Sequence, residues 1–92
     1  MQNIDCEKLQ QICTEFINDE NTMIGMQNNW HDTQVKEIPV SLDKQRIMQA
    51  LGTTEDKYHV SVFDEYINDS VDVYVAISNE NISIATKDWL LW

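Results

Sequence analysis

The chain has two glycines, one proline and two cysteines in 92 residues, and only six lysines and arginines. Each scarcity excludes something. Two glycines leave no Gly-rich loop to cradle a phosphate and few flexible segments from which to shape a catalytic cleft. The cysteines and histidines form neither a C-x-x-C nor an H-x-x-x-H pair, so Cys6, Cys13, His31 and His59 do not compose a zinc site. The alternating oxygen ligands and sixth-position glycine of a calcium loop are missing from Asp19 to Gly25 and from Asp64 to Asp72. The longest apolar runs, Val73 to Ile77 and Trp89 to Trp92, fall far short of the roughly 18 residues of a membrane-spanning helix. Met1-Gln2-Asn3-Ile4-Asp5 lacks the basic and apolar regions of a secretory leader. The expectation is a non-enzymatic protein without cofactor or metal, soluble and cytoplasmic.

The strongest absence is of positive charge. Sixteen Asp and Glu face six Lys and Arg, giving a net charge of −10 and a pI near 4.2. Such a balance excludes a nucleic-acid binder, which needs bases to displace counterions from phosphates, and equally an anionic membrane surface. A hydrophobic fraction of 42% with three tryptophans excludes a disordered acidic tail. At this length the chain is one domain, spanning residues 1–92.

What is present is clear periodicity. Leu9, Ile12, Cys13, Phe16 and Ile17 recur at helical spacing, with Cys6 one turn earlier, predicting an amphipathic helix from about Ile4 to Asp19 or beyond, capped by Asn3. Met23, Ile24 and Met26 extend the apolar stripe, while Gly25 and Gln27-Asn28-Asn29 argue for a stop and a loop. Cys6 and Cys13 would sit about 10.5 Å apart on this helix, too far for a disulfide, and read as reduced core thiols. Trp30 and His31 in the Asn-rich loop read as a packing anchor and a passenger. Gln34 to Val40 predicts a short extended segment that Pro39 demotes to an edge strand or a lead-in. Ser41 then caps a second helix whose buried stripe is Leu42, Ile47, Met48 and Leu51, stopped by Gly52.

From Tyr58 the period changes to two. Tyr58, Val60 and Val62 alternate with His59, Ser61 and Phe63, and Val71 to Ile77 and Ile82 to Ile84 repeat the pattern. Turns at Asn68-Asp69 and Asn79-Glu80-Asn81 join these strands into a meander. A two-residue turn at Asn68-Asp69 places Tyr66 opposite Val71, Glu65 opposite Asp72, Val62 opposite Val75 and Val60 opposite Ile77. The expected fold is α+β, with two helices packed on one face of a three- to four-stranded antiparallel meander. The outer face would then present His59, Ser61, Phe63, Tyr74, Ala76, Ser78, Ser83 and Ala85, flat and half-polar. Trp89-Leu90-Leu91-Trp92 has no polar side, so it packs under the helices, completes the sheet or meets another subunit. Phe63, Tyr74, Trp89 and Trp92 are therefore the candidate contacts of a homodimer.

The placement of charge says more than its total. From Leu9 to Val35 and from Tyr58 to Thr86 there is no Lys or Arg, and the magnitude of 10 exceeds the roughly 2 to 8 that solubility asks of a small domain. Glu15, Asp19, Glu20, Asp64, Glu65, Asp69, Asp72 and Glu80 are the candidate partner-binding acids. A globule of this length has a diameter of about 30 Å, over which one DNA strand carries about nine phosphates. The protein's net charge approaches that of one strand, and a basic groove built for phosphates would attract it.

In length, composition and base-free acidic stretches the chain resembles the small, acidic, phage-encoded DNA-mimic antirestriction proteins, the Arn-like class. That resemblance implies an inhibitor acting as a dimer in the host cytoplasm on a basic DNA-binding protein of the host, either a restriction nuclease or a nucleoid protein such as H-NS. The class has no shared sequence signature, so it assigns no individual residue. The alternative is an immunity protein neutralising a basic nuclease toxin, with aromatic anchors and a weaker dependence on salt. An oligomeric structural protein built on Trp89 to Trp92 is a third.

Overall fold

The computed structural model describes residues 4–19 and 34–86; Asn3, Glu20, Trp30, His31, Trp89 and Trp92 lie outside the described residues. Helix α1 spans Cys6–Ile17. Asp5 is its N-cap, the carboxylate accepting from Lys8 N at 2.7 Å. The expected buried stripe of Leu9, Ile12, Cys13, Phe16 and Ile17 is buried, but Cys6 is exposed. Its place in the core goes to Ile4, which precedes the cap and is buried with Leu9 as the two ends of a hydrophobic staple. The helix stops at Ile17 rather than Asp19: Asn18 is its C-cap, at φ −92 and ψ 6.

Strand β1 (Val35–Pro39) is followed by helix α2 (Lys44–Leu51). The cap of α2 is Asp43 and not Ser41, with Asp43 Oδ1 accepting from Arg46 N at 2.9 Å. The preceding residues cannot enter the helix because they are held elsewhere: Val40 N donates to Glu80 O and Leu42 O accepts from Glu80 N. Gly52 ends α2 as expected, at φ +69 in the left-handed region.

Strands β2 (Lys57–Asp64), β3 (Asp69–Ser78) and β4 (Asn81–Ala85) form the antiparallel meander, and β1 adds to the far side of β4, giving the order β1-β4-β3-β2. The fold is α+β, with two helices and four antiparallel strands among the described residues. Pro39 sits at the end of an edge strand, where its missing N–H is tolerated. The chain passes from β1 at one edge through α2 to β2 at the other. Inward side chains of the strands, such as Val62, Val73, Val75, Ile82 and Ile84, share one core with the buried stripes of α1 and with Ile47 and Leu51 of α2.

The register of the β2–β3 hairpin differs from expectation by four residues. Val62 pairs with Val71, Val60 with Val73, Ser61 with Asp72, and Asp64 with Asp69. A two-residue turn at Asn68-Asp69 favours positive φ at both positions, and only Asn68 adopts it, at φ 56. The loop is instead Glu65-Tyr66-Ile67-Asn68. Because the shift is even, the side chains that remain in the β2–β3 ladder keep their expected faces despite the wrong pairing. At the β3–β4 turn Asn81 opens β4, and Glu80 carries the left-handed conformation at φ 61.

Candidate functional site

Asn18 decides where the acids go. Its Nδ2 donates to Thr14 O and Phe63 O, both at 2.9 Å, and its Oδ1 accepts from Glu65 N at 2.8 Å. Gln10 Nε2 adds a bond to Ser61 O at 2.8 Å. Side chains of α1 and its C-cap thus bond two carbonyls of β2, an edge strand, and the C-terminal end of the helix meets the hairpin loop. Two acidic stretches far apart in sequence converge there.

Glu15, Asp19, Glu65, Asp69 and Asp72 are all exposed at or near this end. Glu15 lies in the last turn of α1 and Asp19 just beyond it, at the negative end of the helix dipole, where bases stabilise and acids do not. The last turn holds no base. Asp64 and Asp69 face each other across the ladder, a like-charged pair that costs the hairpin stability. Asp69 offsets part of that cost by accepting from the adjacent amide, Ser70 N, at 2.7 Å.

Two of the eight nominated acids behave otherwise, and a third, Glu20, lies outside the described residues. Asp64 is 7% exposed and turns its carboxylate back to accept from Tyr66 N at 2.9 Å, so it shapes the loop and offers no surface charge. Glu80 is at the opposite end of the sheet, in the β3–β4 turn. Sequence also hid a base: Lys36 of β1 lines a surface cleft with Glu15, Phe16 and Asp19, so a stretch without bases does not make a surface without them.

The opposite end has a mixed charge. Lys44 bonds Asp56, and Arg46 lies 3.9 Å from Asp43. The hydrogen bond from Lys44 holds the Asp56 carboxyl below its ordinary range, an effect that burial opposes and the Lys44 and Lys57 charges reinforce.

Of the outer-face candidates, Phe63 is 49% exposed, while Tyr74 is half-buried and tilted against His59 with ring centres 6.1 Å apart. Ala85, expected on that face, is fully buried. Trp89 and Trp92 cannot be placed with them, being outside the described residues. The Cys13 thiol, pushed up to about 12 by burial, is no nucleophile. Among the described residues no three His, Cys, Asp or Glu side chains gather to hold a metal, and no helix is long and apolar enough to cross a membrane.

Sequence reasoning missed Tyr66 and Ile67. Their apolar character and the alternation around them placed both in the strand ladder, whereas they sit in the loop, 52% and 60% exposed. The available signal was the local acid pattern, since an Asp two residues before a loop amide often folds back on it. No protein-family model matches the chain, and no curated protein or solved structure is similar to it, so the reading of this surface rests on its own chemistry.

Proposed function

We propose that this protein is an acidic inhibitor that occupies the DNA-binding surface of a basic host protein in the cytoplasm, in the manner of a DNA mimic. The observation that carries the reading is the joining of the end of α1, with Glu15 and Asp19, to the hairpin that bears Glu65, Asp69 and Asp72, through the two hydrogen bonds that Asn18 makes with Phe63 O and Glu65 N. Exposed carboxylates attract the Lys and Arg of a groove made for phosphates, and they speed encounter by steering. The longest dimension of the chain, 36 Å, is close to one turn of duplex, about 34 Å.

A competition gel shift tests this with a purified nucleoid protein such as H-NS on duplex DNA. The protein should release the DNA at low salt and lose that ability as salt rises. Failure to displace DNA, or binding of duplex by the protein itself, rejects the reading. The exposed Tyr66 and Ile67 favour a second reading, an immunity protein that plugs one basic nuclease; inhibition that survives high salt and is confined to one nuclease selects it. Either inhibitor would act as a homodimer through the outer sheet face around Phe63 and Tyr74. Sedimentation at low and high salt checks this, with the dimer expected to persist or tighten as repulsion is screened.

A further inference from the structure

The loop between β2 and β3 combines three properties. It is apolar at its tip, where Tyr66 and Ile67 are more than half exposed. It is collared by acids, with Glu65 inside the loop and Asp69 and Asp72 following it, all exposed. It is also held in shape: Asp64 Oδ1 accepts from Tyr66 N, Asn18 Oδ1 accepts from Glu65 N, and Asn68 takes the left-handed conformation that closes the turn. Water could satisfy the amides of a loop with no further duty. Spending two side chains, one of them a buried carboxylate, to keep an apolar tip outward instead prepares that tip for contact, because a preformed loop loses little entropy on binding.

We propose that this loop is an anchor: Tyr66 and Ile67 enter an apolar pocket on a basic protein, while Glu65, Asp69 and Asp72 meet Lys and Arg side chains around the pocket's rim. This rests on the reading of a basic partner and adds an apolar core to what charge alone would make diffuse. Charge complementarity selects the occupant. A second copy of this chain would bring like charge to the collar, and an anionic surface would be repelled by it. A tyrosine and a branched aliphatic side by side, ringed by polar groups that exclude water, form the usual arrangement of an interface hot spot.

The test uses the full chain, isotopically labelled, and two synthetic helical peptides of equal positive charge, one of Leu and Lys and one of Ser and Lys. At about 0.15 M salt the Leu/Lys peptide should bind at least about tenfold more tightly, with amide shifts concentrated at 63–72. Tyr66→Ser with Ile67→Ser should abolish that preference while retaining the weaker binding of the Ser/Lys peptide. Ile67→Ser alone, at the more exposed of the two positions, should lose part of it and secures the test if the double variant unfolds. Equal binding of the two peptides by the wild-type chain, or an undiminished preference in the Ile67→Ser variant, overturns the anchor and leaves the basic-partner reading standing. Binding of neither peptide at low salt overturns both. Shifts at 63–72 caused by phosphatidylcholine vesicles but not by the Leu/Lys peptide would assign the tip to lipid and overturn the proposal.

Discussion

The two ends of the sheet solve the problem of charge in opposite ways. At the β3–β4 end, acids sit beside bases: Lys44 bonds Asp56, Arg46 neighbours Asp43, and the turn is tied to the lead-in of α2 by Val40 and Leu42. At the β2–β3 end, Asp64 faces Asp69, Glu65 and Asp72 stand exposed, and α1 delivers Glu15 and Asp19 to the same region. The first end is arranged for folding. The second is joined to α1 by hydrogen bonds to the side chain of Asn18, a neutral residue. A fold of 92 residues can accept repulsion at one end because the core and the other end carry the stability.

Breaking the tip's attachment should have the largest effect. Asn18→Ala removes three hydrogen bonds and should cost about 2 kcal/mol in urea unfolding, since each is worth roughly 0.5 to 1.5 kcal/mol and water replaces the exposed ones in part. Reversing the collar with Glu65→Lys, Asp69→Lys and Asp72→Lys should weaken DNA displacement by about tenfold or more. The same variant should melt no lower than wild type, and higher by up to about 1 kcal/mol of stability, because Asp64 then faces a base. Equal displacement by this variant would remove the tip from the interface.

At the other end, Gly52→Ala should cost about 1 kcal/mol by thermal melting. The site is sterically open, with nothing within 4 Å of an added Cβ, so the whole cost is the left-handed backbone. Raising salt from about 0.05 to 0.5 M should stabilise the wild type slightly and the collar-reversed variant less, by screening the repulsion at the tip. The smallest effect belongs to Lys44→Ala. Asp56 is held below its ordinary range, so its pairing contributes stability above the unfolded carboxyl value, about pH 4, and loses it as pH falls through the lower folded value. Melting curves between about pH 5 and pH 2 should therefore fall less steeply in the variant than in the wild type.

Local signals read correctly wherever the competing forces were local. The stripe of α1, the stop at Gly52, the edge role of Pro39 and the faces of β2 and β3 all follow from side-chain periodicity and backbone chemistry. Helix starts were misplaced where a residue two positions further on made the cap: Asp43 displaced Ser41 because Leu42 was bound to Glu80, a residue 38 positions away. The hairpin register was misjudged because Tyr66 and Ile67 satisfy strand alternation as well as any core pair. The bonds that Tyr66 N and Glu65 N donate to Asp64 Oδ1 and Asn18 Oδ1 favour the four-residue loop instead.

The sequence by itself determined the α+β class, the inside and outside of β2 and β3, and the excess of acid, since these depend on alternation, helical spacing and composition, which no packing can change. Tertiary structure decided which acids stand together. It withdrew Asp64 into a turn, sent Glu80 to the far end and brought Lys36 beside Glu15 and Asp19. It also joined the end of α1 to the hairpin through one asparagine. The reason is one of range: periodicity is written within a few residues, whereas a charged surface is assembled from segments whose proximity only the closed core and its hydrogen bonds establish.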